Sequence, residues 1–148
     1  MKVFYGESSV DKFDHCIWTN GCYDILHIGH FRLIEKCRTM ANEHNCPLFV
    51  GIDSDKRVRE LKGESRPINS EDIRAESLLS VRGVDRVFVY DTAEELQNLV
   101  QIVYPHAIVI GEEYRTKSVV GAEYAKVVFF PKVEGYSTTK FQQLDKQP

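Results

Sequence analysis

Apolar runs of strand length recur at residues 16–18, 48–52, 86–90, 107–110 and 127–130. They are apolar throughout rather than alternating, as expected of parallel strands covered on both faces. Between them the apolar positions take helical spacing. Phe31, Leu33, Ile34 and Cys37 follow the first run, and Leu96, Leu99, Val100 and Val103 share one face of a helix over 93–103. Asp53, Ser54 and Asp55 offer N-cap chemistry to a helix reaching Leu61. Ser70 caps a helix over 70–82, with Glu71 and Asp72 in its first turn, where the helix dipole favours acids. Thr92 caps the helix over 93–103. Shorter helices are expected over 119–125 and 138–144, and 62–69 and 112–117 read as loops. Residues 1–14 form an N-terminal extension in which Lys2 to Tyr5 can add a short edge strand.

Strands alternating with helices predict one domain over 1–148, an α/β doubly wound sheet of five parallel strands. Such sheets bind ligands beyond the carboxyl ends of their strands, where strand order reverses. The polar residues gather at those ends: 20–30 after the first strand, 53–55 after the second, 111–115 after the fourth and 131–139 after the fifth.

The stretch after the first strand, TNGCYDILHIGH, carries the most chemistry. A helix N-terminus presents unpaired N–H groups and attracts anions such as phosphate. Gly29 has no side chain, so a phosphate can approach the backbone there. His27 and His30, three residues apart on one helical face, can both donate to the same phosphate as it gains charge under attack. Zinc is a poorer reading, because helical zinc pairs favour i, i+4 spacing and neither Cys22 nor Cys37 stands at a zinc spacing. A second basic group, Lys62, Arg66 and Arg74, lies in and after the loop LKGESRP. It suits a triphosphate, over which a loop can close. A third stretch, EGYSTTK, places the hydroxyls of Ser137, Thr138 and Thr139 at a helix start, either as caps or as an anion site. Asp24 can cap a helix, orient an acceptor hydroxyl or meet the phosphates through a bridging magnesium ion. No all-protein metal cage is visible in the sequence.

The chain has 148 residues, a formal charge of −3 and four cysteines. The acidic balance argues against general nucleic-acid binding. The cysteines form no CxxC pair and read as reduced thiols. No signal-peptide pattern or bilayer-length apolar run is present, which fits a cytoplasmic enzyme.

GCYDILHIGH resembles the signature of the HxGH-type, cytidylyltransferase-like nucleotidyltransferases. The HIGH tetrapeptide is shared with class I aminoacyl-tRNA synthetases, but those are much longer and no KMSKS-like sequence occurs here. SDxxVxxLKGxxRPxxxxxxR and GEEYRTKSVVGAEYA are similar to the adenylyltransferase domain of ADP-heptose synthases, and EGYSTTK resembles the family's C-terminal block. The three blocks occur in family order and cover residues 16–143.

The resemblance implies transfer of a nucleotidyl group from a magnesium-bound nucleoside triphosphate to a phosphorylated acceptor. It implies ATP and a sugar 1-phosphate, with CTP and an alcohol phosphate such as glycerol 3-phosphate as the alternative. His27, His30, Lys62 and Arg74 would be the catalytic set. Asn20, Gly21, Cys22, Tyr23, Asp24, Gly29, Asp55, Gly111, Glu112, Lys132 and Ser137–Thr139 would hold the nucleotide and its phosphates. Lysine stands at position 132 where some cytidylyltransferases carry arginine, which keeps the charge but loses the bidentate fork. The family often forms dimers, and residues 1–14 or the 93–103 helix could supply a contact. A nucleotide-binding module without turnover is the reading from another class.

Overall fold

The computed structural model describes residues 2–7 and 15–132. Its strands are β1 (Val3–Tyr5), β2 (Ile17–Gly21), β3 (Leu48–Asp53), β4 (Arg86–Tyr90), β5 (Ala107–Gly111) and β6 (Lys126–Phe130). Its α-helices are α1 (Ile28–Glu43), α2 (Asp55–Lys62), α3 (Glu71–Leu79) and α4 (Ala93–Val103). The strands form one six-stranded sheet in the order β1-β4-β3-β2-β5-β6, with every neighbouring pair parallel.

The continuous apolar character of the strands follows from double coverage. Ile17, Leu48, Val50, Ile52 and Val87 face a core shared with Ile34, Cys37 and Ala41 of α1 and with Ala75 and Leu78 of α3. Trp18, Phe49, Phe88 and Ile108 face the opposite core, closed by Leu96, Leu99, Val100 and Val103 of α4. Gly51 lies beneath Trp18, and a Cβ there would come within 2.5 Å of the indole. The close approach of strand to ring therefore requires glycine.

The sixth strand is β1. It extends the sheet beyond β4 in register Phe4↔Phe88, and those two rings stack at 5.1 Å. Three helical expectations change. Phe31 on α1 is exposed rather than core-facing. Helix α3 stops at Leu79, and Gly83 at φ +98° closes the turn that follows. Residues 119–125 form successive turns instead of a helix: Ala122 N–H donates to Val119 C=O, Tyr124 N–H donates to Gly121 C=O, and Gly121 has φ +90°. A left-handed residue in mid-segment interrupts α-helical hydrogen bonding.

Strand order places the site. The chain runs outward from β2 through β3 to β4, then crosses back so that β5 lies on the other side of β2. The reversal falls between β2 and β5, and a crevice opens beyond their carboxyl ends. Among the described residues no helix is long and apolar enough to cross a membrane.

Candidate functional site

A cleft of about 320 Å³ occupies that crevice. Asn20, Gly21, Cys22 and Tyr23 line it from the exit of β2, and His27, Gly29, His30 and Leu33 from α1. Lys62 and Arg66 line it from the β3 flank. Ile110, Gly111, Glu113, Tyr114, Phe130, Pro131 and Lys132 line it from the exits of β5 and β6.

The two histidines build the start of α1. His27 is the N-cap, in extended backbone, and its Nδ1 accepts from Gly29 N–H at 3.1 Å. His30 returns the contact, its Nδ1 accepting from His27 N–H at 3.2 Å. This is a capping box made from imidazoles instead of Ser/Thr and Glu. An Nδ1 that accepts carries no proton, so each neutral ring carries its proton on Nε2. The rings lie 3.9 Å apart between centroids, and Tyr23 supports His30 at 5.1 Å. Tyr23 is itself buried with φ +53°, and its hydroxyl lies 3.2 Å from Thr19 Oγ1. A bulky residue held in the left-handed region is a strained arrangement of the kind that gathers at functional sites.

Burial keeps both rings neutral. Desolvation lowers the His27 pKa. For His30, desolvation first and then the charges of His27 and Lys62 bring it down to about 4. Two neutral Nε2–H donors beside a helix N-terminus can bind a phosphate without first taking up a proton. In an NMR pH titration of the free protein, the His30 ring signals should stay at their neutral positions from pH 8 down to about 5. Because the folded value lies below the unfolded value near 6.5, the His30 contribution to stability should fall as pH drops from about 6.5 towards 4. A His30 midpoint near 6.5 would refute the neutral-donor assignment.

The structure divides the remaining sequence candidates. Asn20, Gly21, Cys22, Tyr23, Gly29, Lys62, Gly111 and Lys132 join the histidines in the cleft. Asn20 Oδ1 accepts from Trp18 Nε1–H at 2.9 Å. Burial raises the Cys22 thiol pKa against the opposing pull of Lys62 and Arg74. Lys62 is the last residue of α2 rather than part of the loop. Glu112 lies outside the lining, and its Oε1 accepts from Lys132 N–H at 3.1 Å, tying the exit of β5 to that of β6. Ser137, Thr138 and Thr139 lie outside the described residues.

Arg74, Asp55 and Asp24 also lie outside the cleft lining. Arg74 is fully buried beneath the site. Its Nε–H donates to Asn69 C=O at 3.0 Å, and its Nη1 donates to Cys22 C=O at 2.9 Å and Asp53 C=O at 2.7 Å. Its Nη2 donates to Asp55 Oδ1 at 2.8 Å. This guanidinium joins the ends of β2 and β3 to α2 and to the loop before α3. Asp55 answers it from the first turn of α2, which Ser54 caps.

Asp24 is not the cap of α1. Its carboxylate accepts from Ile68 N–H at 2.7 Å and Asn69 N–H at 2.8 Å, and Asn69 Nδ2 donates to the Asp24 carbonyl at 2.9 Å. It anchors the loop that follows Lys62 and Arg66. Among the described residues no group of three or more His, Cys, Asp or Glu side chains is arranged to hold a metal ion.

Leu33, Ile110 and Phe130, read from the sequence only as helix and strand positions, also line the cleft, while Glu113, Tyr114 and Pro131 fall in the polar stretches after β5 and β6 that the strand-end rule marks. Tyr114, Ile110 and Phe130 give that flank an apolar and aromatic wall, opposite the basic flank of Lys62 and Arg66.

The cytidylyltransferase-like family model matches residues 18–143. The bifunctional protein HldE of Aliarcobacter butzleri is 42% identical over 126 residues, which make up 83% of this chain and 25% of that protein. The chain thus spans about a quarter of the length of that curated relative. Among solved structures, the macrolide-efflux protein of Streptococcus pneumoniae superposes with TM-score 0.71 at 18% identity, covering 95% of this chain and 56% of that one. The lipopolysaccharide core biosynthesis protein of Thermoplasma volcanium superposes with TM-score 0.60 at 22% identity, covering 83% and 98%. At these identities the two structures bear on the fold alone.

Proposed function

Because the chain belongs to the cytidylyltransferase-like family of nucleotidyltransferases, we propose that it transfers AMP from ATP to a sugar 1-phosphate resembling D-glycero-D-manno-heptose 1-phosphate, with release of pyrophosphate. The observation that carries the chemistry is the reciprocal cap of His27 and His30, which makes both imidazoles acceptors at Nδ1 and donors at Nε2 on one wall of the cleft. The choice of ATP and a sugar phosphate rests on the 42% identity to a bifunctional HldE protein.

ATP enters as its magnesium complex, the ion being carried by the triphosphate. The base lies against the apolar wall of Ile110, Tyr114 and Phe130. An oxygen of the acceptor phosphate attacks the α-phosphorus in line. A bond forms between them as the bond from the α-phosphorus to the bridging oxygen breaks, and pyrophosphate leaves with the electron pair. The acceptor phosphate is already anionic at neutral pH, so no general base is needed. His27 and His30 donate to the α-phosphate oxygens as charge accumulates there. Lys62 and Lys132 bring positive charge to opposite flanks. Arg74 and Asp24 hold the β2 exit, α2 and the loop in register, so that the donors are already in place before substrate arrives.

Pyrophosphate release with magnesium is the test, with ATP and CTP each offered against heptose 1-phosphate, other sugar 1-phosphates and glycerol 3-phosphate. Release with ATP and the heptose phosphate is expected. Release with CTP and an alcohol phosphate alone would move the chain to the alternative that its family description favours. Nucleotide binding without release from any pair would defeat the enzymatic reading and leave a nucleotide-binding module.

A further inference from the structure

We infer that Arg66 binds a substrate phosphate on the β3 flank of the cleft, a role that rests on the nucleotidyltransferase reading for its substrate. Arg66 is only 8% exposed, yet it lines the cleft beside Lys62, His27 and His30. Its Nε is buried and has no hydrogen-bond partner among the described residues. The carboxylate facing it, Asp24, stands 3.6 Å away, beyond hydrogen-bond reach, and already accepts from the N–H groups of Ile68 and Asn69. A buried N–H of a charged group without a formed hydrogen bond is costly to maintain, and such groups normally find a partner. Here the described residues supply a compensating charge at 3.6 Å but no acceptor in bonding geometry for Nε.

A phosphate entering from the cleft supplies the missing acceptors. The planar fork of arginine suits two phosphate oxygens at once, which a lysine cannot match. Location favours the same ligand. Lys62 adds a second positive charge on this flank, while Glu113, the carboxylate of the lining, lies on the β5–β6 side. Asp24 holds the loop through backbone bonds to residues 68 and 69, so Arg66 is presented by a segment fixed immediately beyond it. This differs from the role of Arg74, whose donors are taken up by three carbonyls and a carboxylate. The phosphate has two possible sources, the acceptor and the leaving end of the triphosphate, and they separate kinetically.

The test compares wild type, Arg66→Gln and Arg66→Lys by steady-state kinetics, varying ATP and the sugar phosphate in turn. Arg66→Gln should raise one KM by about 10- to 100-fold, as expected for lost hydrogen bonds to a charged group, with kcat changed less than about threefold. A rise in the KM of the sugar phosphate assigns Arg66 to the acceptor; a rise in that of ATP assigns it to the triphosphate. Arg66→Lys should recover part of the loss, and it decides the matter if the glutamine variant does not fold. Both KM values unchanged, or a fall confined to kcat, would overturn the inference in favour of a loop-anchoring role.

A second measurement stands apart from turnover. In the folded wild-type protein, the Arg66 Nε–H signal, identified by its absence from the spectrum of Arg66→Lys, should shift saturably on titration with inorganic phosphate. A signal that does not respond overturns the inference. Because this arm needs no reaction, it judges Arg66 even if every substrate pair proves silent.

Discussion

His30→Ala should lower kcat by about 10²- to 10³-fold and leave a folded protein, the size expected when one preorganised donor to a developing oxyanion is removed. The His30 ring has two functions that the substitution separates. As the partner of His27 N–H it contributes to the cap of α1, and losing a cap contact costs about 1 kcal/mol, or about 2–4 °C in melting temperature for a domain of this size. As an Nε2–H donor in the cleft it acts on charge that appears mainly in the transition state. Its loss should therefore fall on kcat and leave the KM values nearly unchanged. His30→Asn keeps a polar group able to accept from the cap and should recover the melting temperature more than the rate. Near-wild-type turnover in His30→Ala, measured as pyrophosphate release with the active substrate pair, would remove the histidines from the mechanism. A large drop in melting temperature accompanied by a proportionate drop in rate would assign the effect to folding instead.

The histidine pair was legible because its signal is local. A strand, a glycine turn and two histidines at helical spacing occupy a dozen consecutive residues, and the structure folds them as that stretch suggests. The parallel sheet was legible for a related reason, since strands covered on both faces leave continuous apolar runs. The short β1 is the exception: at three residues it could be read only as an optional edge.

Partners that come from distant stretches were not legible. Arg74 carries the charge of a phosphate ligand in the motif, but its acceptors lie 52, 21 and 5 residues away at Cys22, Asp53 and Asn69. Only the meeting of β2, β3 and the loop shows that they claim the guanidinium. Asp24 presents the same problem at 44 and 45 residues from Ile68 and Asn69. The sequence reveals a residue's charge, whereas burial and the available acceptors decide what that charge does. Residues 119–125 show a different limit: their composition permits a helix, and the left-handed Gly121 excludes one.

Arg74→Met should lower unfolding free energy by about 2–4 kcal/mol, the consequence of removing a fully buried guanidinium that donates to three carbonyls and to the partly exposed carboxylate of Asp55. Methionine approximates the aliphatic stem but leaves the carbonyls of Cys22, Asp53 and Asn69 and the carboxylate of Asp55 without their common donor. Domains of this kind are typically stable by about 5–15 kcal/mol, so the variant stands close to the folding threshold, and Arg74→Lys is the second arm. An ammonium group has three donors on a single atom and cannot span acceptors arranged around a planar fork, so lysine should recover less than half of the loss. Urea titration gives both values. If Arg74 were instead a phosphate ligand, Arg74→Lys would keep the wild-type midpoint and raise the KM for ATP, the pattern expected here of Arg66 with respect to one substrate. The two arginines stand eight positions apart and share the sheltered ground behind Asp24. Opposite responses, stability lost at Arg74 and substrate affinity lost at Arg66, would show that one guanidinium holds the strand ends together so that the other can face the cleft.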